Sequence, residues 1–252
     1  MHRFFVPGDS IEQGYVVIRG SEAKHLSRVL RLRAGDQALV FDGSGRELVV
    51  RIETCSGTEV RASVLEERHP DREPPVAVSL VQGIGKGEKM DFIVQKSVEL
   101  GITRIIPVMT EWGTVRLTGQ RAGERVHRWR KIAVEACKQC GRTVIPEVEE
   151  IRDFYKVVEE TRDTPGILFY EGFRDRSLKE VLRQKASVFR DRGLVLYVGA
   201  EGGFSPREIE EARNRGLIIA GLGPRILRTE TAALAAVTCV LYELGDLGGT
   251  CD

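Results

Sequence analysis

Three glycine-rich stretches carry residue types that could hold a flat, charged ligand. The first is Gly83-Ile84-Gly85-Lys86-Gly87. It is not a dinucleotide fingerprint, because Glu88 stands where the third glycine should be, and not a phosphate loop, because Lys86 is followed by Gly87 rather than Ser or Thr. Lys86 and Lys89 beside free N–H groups at a helix start would still make an anion site, with RNA phosphate as the expected anion; a turn with solvated lysines accounts for them equally well. The second stretch is Gly199-Ala200-Glu201-Gly202-Gly203-Phe204-Ser205-Pro206. Ser205, Pro206 and Glu208 form a capping box with proline in the first turn, so that helix start satisfies its own donors. Gly199, Gly202 and Gly203 are then free to let a flat ligand approach the backbone. The third stretch runs from Leu222 and Gly223 through Arg225, Ile226, Leu227, Arg228 and Glu230 to Thr231. Apolar Ile226 and Leu227 beside Arg228 and Glu230 suit an adenosine, apolar on its faces and polar at its edge.

Other residues with possible chemistry are less organised. His2, His25, His69 and His127 are scattered without a partnered nucleophile, which argues against a hydrolase triad. Cys137-x-x-Cys140 lacks the second Cys/His pair that zinc needs; no metal is expected, and buried thiols are. Five cysteines, an odd and sparse set, fit reduced thiols in a cytoplasmic setting. Trp112 and Trp129 could stack on bases or pack in the core. Two basic runs stand out in a chain of net charge +1. Arg19, Lys24, Arg28, Arg31 and Arg33 face one acid, Glu22, and eight basic residues lie between Arg116 and Arg142. Solvated helix faces explain single runs; two together favour an RNA phosphate track.

The elements that must position these residues fall into two groups. The chain has 252 residues, 42% hydrophobic and 30% charged, which excludes global disorder. Tyr15–Ile18, Gln37–Phe41, Glu47–Ile52 and Glu59–Leu65 read as short strands, with a helix from Ser21 burying Ala23, Leu26, Val29 and Leu30. This predicts a small β-barrel over residues 1–70. Three of the nine prolines lie in His69–Pro75, so residues 71–75 are expected to be a linker. From Val76 strands and helices alternate. The strands are Val76–Val81, Arg104–Val108, Ile167–Tyr170, Leu194–Val198 and Leu217–Ala220; the helices are Glu88–Leu100, Glu124–Cys140, Ser177–Ala186, Ser205–Arg215 and Thr231–Leu244. That pattern predicts an α/β domain over 76–252, a parallel sheet covered on both faces, with ligands at the carboxyl ends of its strands. No secretory leader is expected, and the most apolar stretch, Ala232–Leu244, is too short to span a membrane.

The second and third glycine-rich stretches together resemble the RsmE family of ribosomal RNA uridine-N3 methyltransferases, of the knotted SPOUT superfamily. The motifs are Val198-Gly199-Ala200-Glu201-Gly202-Gly203-Phe204-Ser205 and Leu222-Gly223-x-Arg225-Ile226-Leu227-Arg228-x-Glu230-Thr231-Ala232. Weaker matches run nearly end to end: His25 to Arg31 with Gly35-Asp36, Lys86 to Met90, Glu99 to Gly101, and Trp129 to Ile132. The resemblance implies a PUA-like RNA-binding barrel, a catalytic domain ending in a deep trefoil knot, and a homodimer. It also implies bound S-adenosyl-L-methionine, held by Leu168, Tyr170, Glu171, Val198, Gly199, Glu201, Gly202, Gly203, Leu222, Gly223, Ile226, Leu227, Arg228, Thr231 and Ala232. RNA contacts are expected from Arg3, Lys24, His25, Arg28, Arg31, Arg33, Lys86, Lys89, Arg130, Lys131 and Arg142. The substrate implied is one uridine of 16S rRNA, read in free RNA or in the assembled small ribosomal subunit. Two positions depart from the family: Ala200 stands where proline is usual, and Trp112-Gly113 where Arg-Ser is usual.

Uridine N3 is an imide whose proton must leave as the methyl group arrives, and negative charge then spreads onto the flanking carbonyls. Arg228 is expected to stabilise that charge, and Glu201 or Glu230 to accept the proton. The competing readings are a Rossmann-type nucleotide enzyme using Gly83–Gly87, a catalytically inactive RNA-binding ribosome factor, and a SPOUT methyltransferase of another specificity. The last helix, apolar nearly all round, is expected to carry the dimer interface, with Ala233 and Ala236 admitting a partner helix.

Overall fold

A computed structural model describes residues 1–12, 14–171 and 177–248; Cys251 lies outside them. The chain divides into two compact units, Met1–Glu73 with Cys137–Ile145, and Pro74–Ala136 with Pro146–Asp252. The first break falls within the proline-rich stretch. The addition of Cys137–Ile145 to the first unit has no counterpart in the composition, because a single helical pattern runs unbroken across residue 137.

The first unit holds β1 (Arg3–Phe5), β2 (Ile11–Glu12), β3 (Tyr15–Arg19), α1 (Gly20–Lys24), β4 (Gln37–Phe41), β5 (Glu47–Cys55) and β6 (Glu59–Arg68). The strands form one six-stranded sheet in the order β1-β4-β5-β6-β3-β2. Register shifts between Val49 and Val50 and between Ile52 and Thr54 bend the long β5–β6 ribbon. Alternate residues such as Val16, Ile18, Val40, Val50 and Ile52 fill the core, which is what a period of two dictates. The predicted helix from Ser21 does not continue regularly: after α1 the chain makes a π turn over His25–Val29, closed by a Leu30 N–H bond to the His25 carbonyl (3.0 Å). The extra residue rotates the following positions, so Ala23 and Leu26 are buried while Val29 is 69% exposed.

Two arginines expected on RNA belong instead to the interior of this unit. Arg3 donates to Glu47 Oε2 (2.9 Å) and to the Cys137 carbonyl (2.6 Å), and its guanidinium lies 4.2 Å from the Phe41 ring centroid. Arg142 is buried, and its Nε donates to Glu73 Oε2 (2.9 Å). Cys137 is buried, and burial pushes its thiol up to about 12, so it is an inert core group. Among the described residues no cluster of three metal-ligating side chains occurs.

The second unit holds β7 (Val78–Gly83), α2 (Lys89–Leu100), β8 (Arg104–Met109), α3 (Gly119–Cys140) up to Ala136, β9 (Glu147–Val148), β10 (Arg152–Asp153), α4 (Phe154–Glu160), β11 (Gly166–Phe169), α5 (Leu178–Arg192), β12 (Leu194–Val198), α6 (Pro206–Asn214), β13 (Ile218–Ala220) and α7 (Thr229–Leu244). All the strands pair in parallel, in the order β10-β8-β7-β12-β11-β13, with β9 beside β8. Helices α2, α5 and α7 pack together on one face of the sheet, and α4 and α6 on the other. Phe154, Leu168, Tyr197, Phe204 and Ile219 anchor the core beneath α4 and α6. Helix α4 went unpredicted, although Asp153 caps it by accepting from the Tyr155 and Lys156 N–H groups.

Helix α7 is not apolar all round. Ala233, Ala236, Val237, Val240, Leu241 and Leu244 face inward, whereas Thr231, Thr238, Cys239 and Tyr242 are exposed. Ala233 and Ala236 are therefore consumed by packing within the chain. Among the described residues no helix is long and apolar enough to cross a membrane.

Replacing Arg142 by Met would leave the Glu73 carboxylate without the guanidinium it faces. A loss of about 2 kcal/mol in urea unfolding is expected, below the 3–5 of a fully buried pair because Glu73 retains some solvent.

Candidate active site

The strand order changes direction beside β7. Connections after β7 run outward to β8, whereas β11, β12 and β13 fill the other side. Ligands of open parallel sheets sit outside such carboxyl ends. A cavity of about 350 Å³ lies there, made by the segments that follow β11, β12 and β13. Tyr170 and Glu171 come from the first, Val198, Gly199, Glu201 and Gly203 from the second, and Leu222, Gly223, Ile226, Leu227 and Arg228 from the third, with Ala232 from α7. The structure adds Phe169, Ala200, Arg225, Thr229 and Lys89 to the expected lining. Of the expected residues, Leu168 is fully buried in β11, and Thr231 and Gly202 lie off the wall. A Cβ on Gly202 would come 2.8 Å from the Trp112 carbonyl and 3.1 Å from its Cβ, so Gly202 makes room for Trp112.

The loops are locked by backbone proximity and one buried polar junction. A Cβ on Gly83 would come 2.3 Å from the Ala200 nitrogen, so β7 can meet this loop only through glycine. A Cβ on Gly199 would come 2.9 Å from the Gly203 backbone, whereas Gly203 has a positive φ of 70° and open space before it. Gln82, fully buried, donates from Nε2 to the Thr229 hydroxyl (2.9 Å) and to the Gly83 carbonyl (2.8 Å). The Thr229 hydroxyl donates in turn to the Gly199 carbonyl (2.6 Å). Neither Gln82 nor Thr229 was singled out from the sequence; the available signal was a glutamine at the end of an otherwise apolar central strand.

Charge is organised around Lys89. Its ammonium lies 2.9 Å from Glu201 Oε1 and 3.7 Å from Glu230 Oε2. The Lys86 N–H also donates to Glu201 Oε1 (2.9 Å). An anion beside the start of α2 is thus the protein's own Glu201, which engages the Lys86 N–H and the Lys89 ammonium and leaves the Lys86 side chain exposed. The Glu201 hydrogen bond raises Lys89 above its ordinary value. Burial would raise Glu201, but the Lys89 ammonium and the Lys86 N–H outweigh it and hold the carboxyl below the usual range. Glu201 is correspondingly a weak base. Glu230 Oε2 is buried and accepts no hydrogen bond.

The chain is similar to known proteins over nearly its whole length. Residues 72–241 match the RNA methyltransferase domain family, and residues 18–65 match the RNA methyltransferase PUA domain family. The ribosomal RNA small subunit methyltransferase E of Bacillus subtilis is 31% identical over 99% of both chains. The chain belongs to the ribosomal RNA small subunit methyltransferase E family. A crystal structure of the family enzyme from Neisseria gonorrhoeae, bound to S-adenosyl methionine, is 33% identical with a TM-score of 0.87 over 98% of this chain and 99% of that one. A methyltransferase from Legionella pneumophila, with SAM as bound cofactor, is 31% identical with a TM-score of 0.84 over 95% of this chain and 96% of that one. Membership accounts for the PUA-like first unit and the parallel α/β second unit.

The residues expected on RNA separate into two kinds. Lys24, His25, Arg28, Arg31 and Arg33 are exposed on the first unit, where Arg28, Arg31 and Arg33 line a cleft with Cys55 and Gly57. Lys86 and Lys131 are exposed on the second. Arg130 is exposed there too, while bonding to the Val148 carbonyl (2.8 Å) and to Glu150 (2.9 Å), and Lys89 pairs with the acids beside the cavity. Trp129 is fully buried, with its indole N–H on Asp91 Oδ1 (3.1 Å), which removes it as a base-stacking residue.

Replacing Lys89 by Met would remove the group that holds Glu201 down. Above the usual carboxylate range the variant should be less stable by up to about 1 kcal/mol, both partners being partly solvated. As pH falls through the depressed Glu201 value the parent protein loses the pair too, so the difference should vanish. Paired urea titrations near pH 7 and near pH 3 check this.

Proposed function

We propose that this chain, a methyltransferase acting on small-subunit ribosomal RNA, uses S-adenosyl-L-methionine to methylate N3 of one uridine of 16S rRNA. The observation that carries the reading is the cavity at the ends of β11, β12 and β13. Its walls combine the two motifs of the family, and its size falls within the range of small-molecule sites. The residues fit the donor: Leu222, Ile226 and Leu227 offer apolar surface to the adenine, and Gly203 leaves the backbone open to close approach. Glu171 on the cavity wall supplies negative charge for a ligand carrying a sulfonium and an ammonium group.

When bound, the donor supplies an electrophilic methyl group on sulfur. Attack by uridine N3 on that carbon would break its bond to sulfur and release S-adenosylhomocysteine, while the N3 proton would pass to a base of the protein. We assign this to Glu230 rather than Glu201, because Glu201 is already neutralised by Lys89 and the Lys86 N–H. Arg228, exposed at the cavity and in no ion pair with an acid among the described residues, faces the charge that develops on the uridine carbonyls. The chain supplies no nucleophile, so positioning carries much of the rate.

The same reading includes the deep knot, supported by β12 lying between β7 and β11 while β13 pairs beyond β11. It includes a homodimer through the outward face of α7, Thr238, Cys239 and Tyr242, in place of the buried alanines. It also includes the cytoplasm as the place of action and the cationic cleft of the first unit as an RNA contact.

Digestion of 16S rRNA after incubation with the protein and S-adenosylmethionine should yield one equivalent of 3-methyluridine by mass spectrometry. A methyl group on ribose, or on another base, would overturn the N3 assignment. Arg228→Ala should lower kcat about 100-fold while donor affinity changes less than about threefold, because its charge matters once the uridine is anionic. Equal losses in both would make Arg228 a donor-binding residue.

A further inference from the structure

The loop after β8 carries Trp112, whose surroundings are unlike those of the other tryptophan. Trp112 is 51% exposed, and among the described residues its ring joins no aromatic pair and lies under no cation. The backbone beneath it is nevertheless held tightly. The Glu111 N–H donates to buried Glu208 (2.9 Å), and the Gly113 N–H donates to the Thr110 carbonyl (3.1 Å). The Arg116 guanidinium donates to the carbonyls of Thr110 (3.1 Å), Glu111 (3.0 Å) and Gly113 (2.6 Å). The Glu111 carboxylate accepts from the Tyr155 hydroxyl (2.7 Å). A rigid loop thus presents a free indole. It does so against the turn that includes Gly203 of the cavity wall, because Gly202 is cut back to hydrogen where Trp112 abuts it.

We propose that Trp112 is the platform on which an unpaired base of the RNA substrate stacks beside the methyl-transfer cavity. The inference rests on the proposed function and adds a specificity residue to it. An RNA base is the occupant to commit to for two reasons. The reacting nucleoside must reach the carboxyl ends of these strands, where Trp112 stands. The segments around the cavity also expose Lys86, Arg225 and Arg228, cations suited to the phosphates on either side of a splayed base. The backbone beneath the ring is already ordered, so little loop ordering is needed on binding and the stacking energy appears in RNA affinity.

The chain has two tryptophans, and Trp129 is buried, so acrylamide quenching reports Trp112 in the unaltered protein. Addition of 16S rRNA should protect the quenchable tryptophan, with the same midpoint as methyl transfer. Trp112→Ala should raise KM for the RNA about tenfold, with kcat and donor KM within about twofold, and Trp112→Phe should recover most of the loss. Thermal unfolding of both variants at the parent temperature shows that the effect is not one of folding. An RNA KM unchanged in Trp112→Ala, or continued quenching with RNA bound, would overturn the proposal. Protection that rises with protein concentration in the absence of RNA would assign the face to a second copy of the chain and overturn it as well. If the parent protein methylates no RNA, the failure lies in the functional reading; transfer that is indifferent to Trp112 sinks only this inference.

Discussion

The active-site end of the second unit depends on one contact, the meeting of β7 with the loop after β12. Parallel strands set side by side bring these backbones together, and any side chain at Gly83 would strike the Ala200 nitrogen. The junction is then fastened by the buried Gln82 amide and the Thr229 hydroxyl. The Gln82 Nε2 donor and the Thr229 hydroxyl are costly to bury unpaired, so their bonds specify one arrangement of three chain segments that are distant in sequence. The cavity exists because that arrangement leaves the segments after β11, β12 and β13 facing a common space.

The charge pattern follows from the same geometry. Once the Gly199–Gly203 loop is seated on β7, Glu201 reaches the start of α2, where a free N–H and Lys89 receive it. An internal carboxylate thereby occupies the place beside Lys86 and Lys89 that would otherwise attract an external anion. Glu201 gives up basicity in return, while Glu230 has a buried oxygen 3.7 Å from the same ammonium that accepts no hydrogen bond.

Much of this was legible in the residues. The alternation of strands and helices after Val76 gave the parallel sheet, because period and length are local properties. The two C-terminal motifs located the cavity wall, because glycine at Gly199 and Gly203 answers to local backbone demands. What escaped were effects of tertiary pairing. Arg3 and Arg142 read as surface cations, yet their acid partners, Glu47 and Glu73, lie far away in sequence. Helix α7 read as apolar all round because Ala and Leu do not announce which face is covered. The role of Gly83 could not be read as packing, since the loop it meets is more than a hundred residues away.

In the proposed function the three chain segments locked at Gln82 and Thr229 form a methyl-donor site, not a nucleotide-phosphate site. Calorimetric titration of the intact protein with S-adenosylmethionine, and separately with a nicotinamide dinucleotide and ATP, tests it most directly. The account expects saturable heat at one site per chain with the sulfonium donor and none with either nucleotide. Saturable binding of a nucleotide in place of the donor would contradict it.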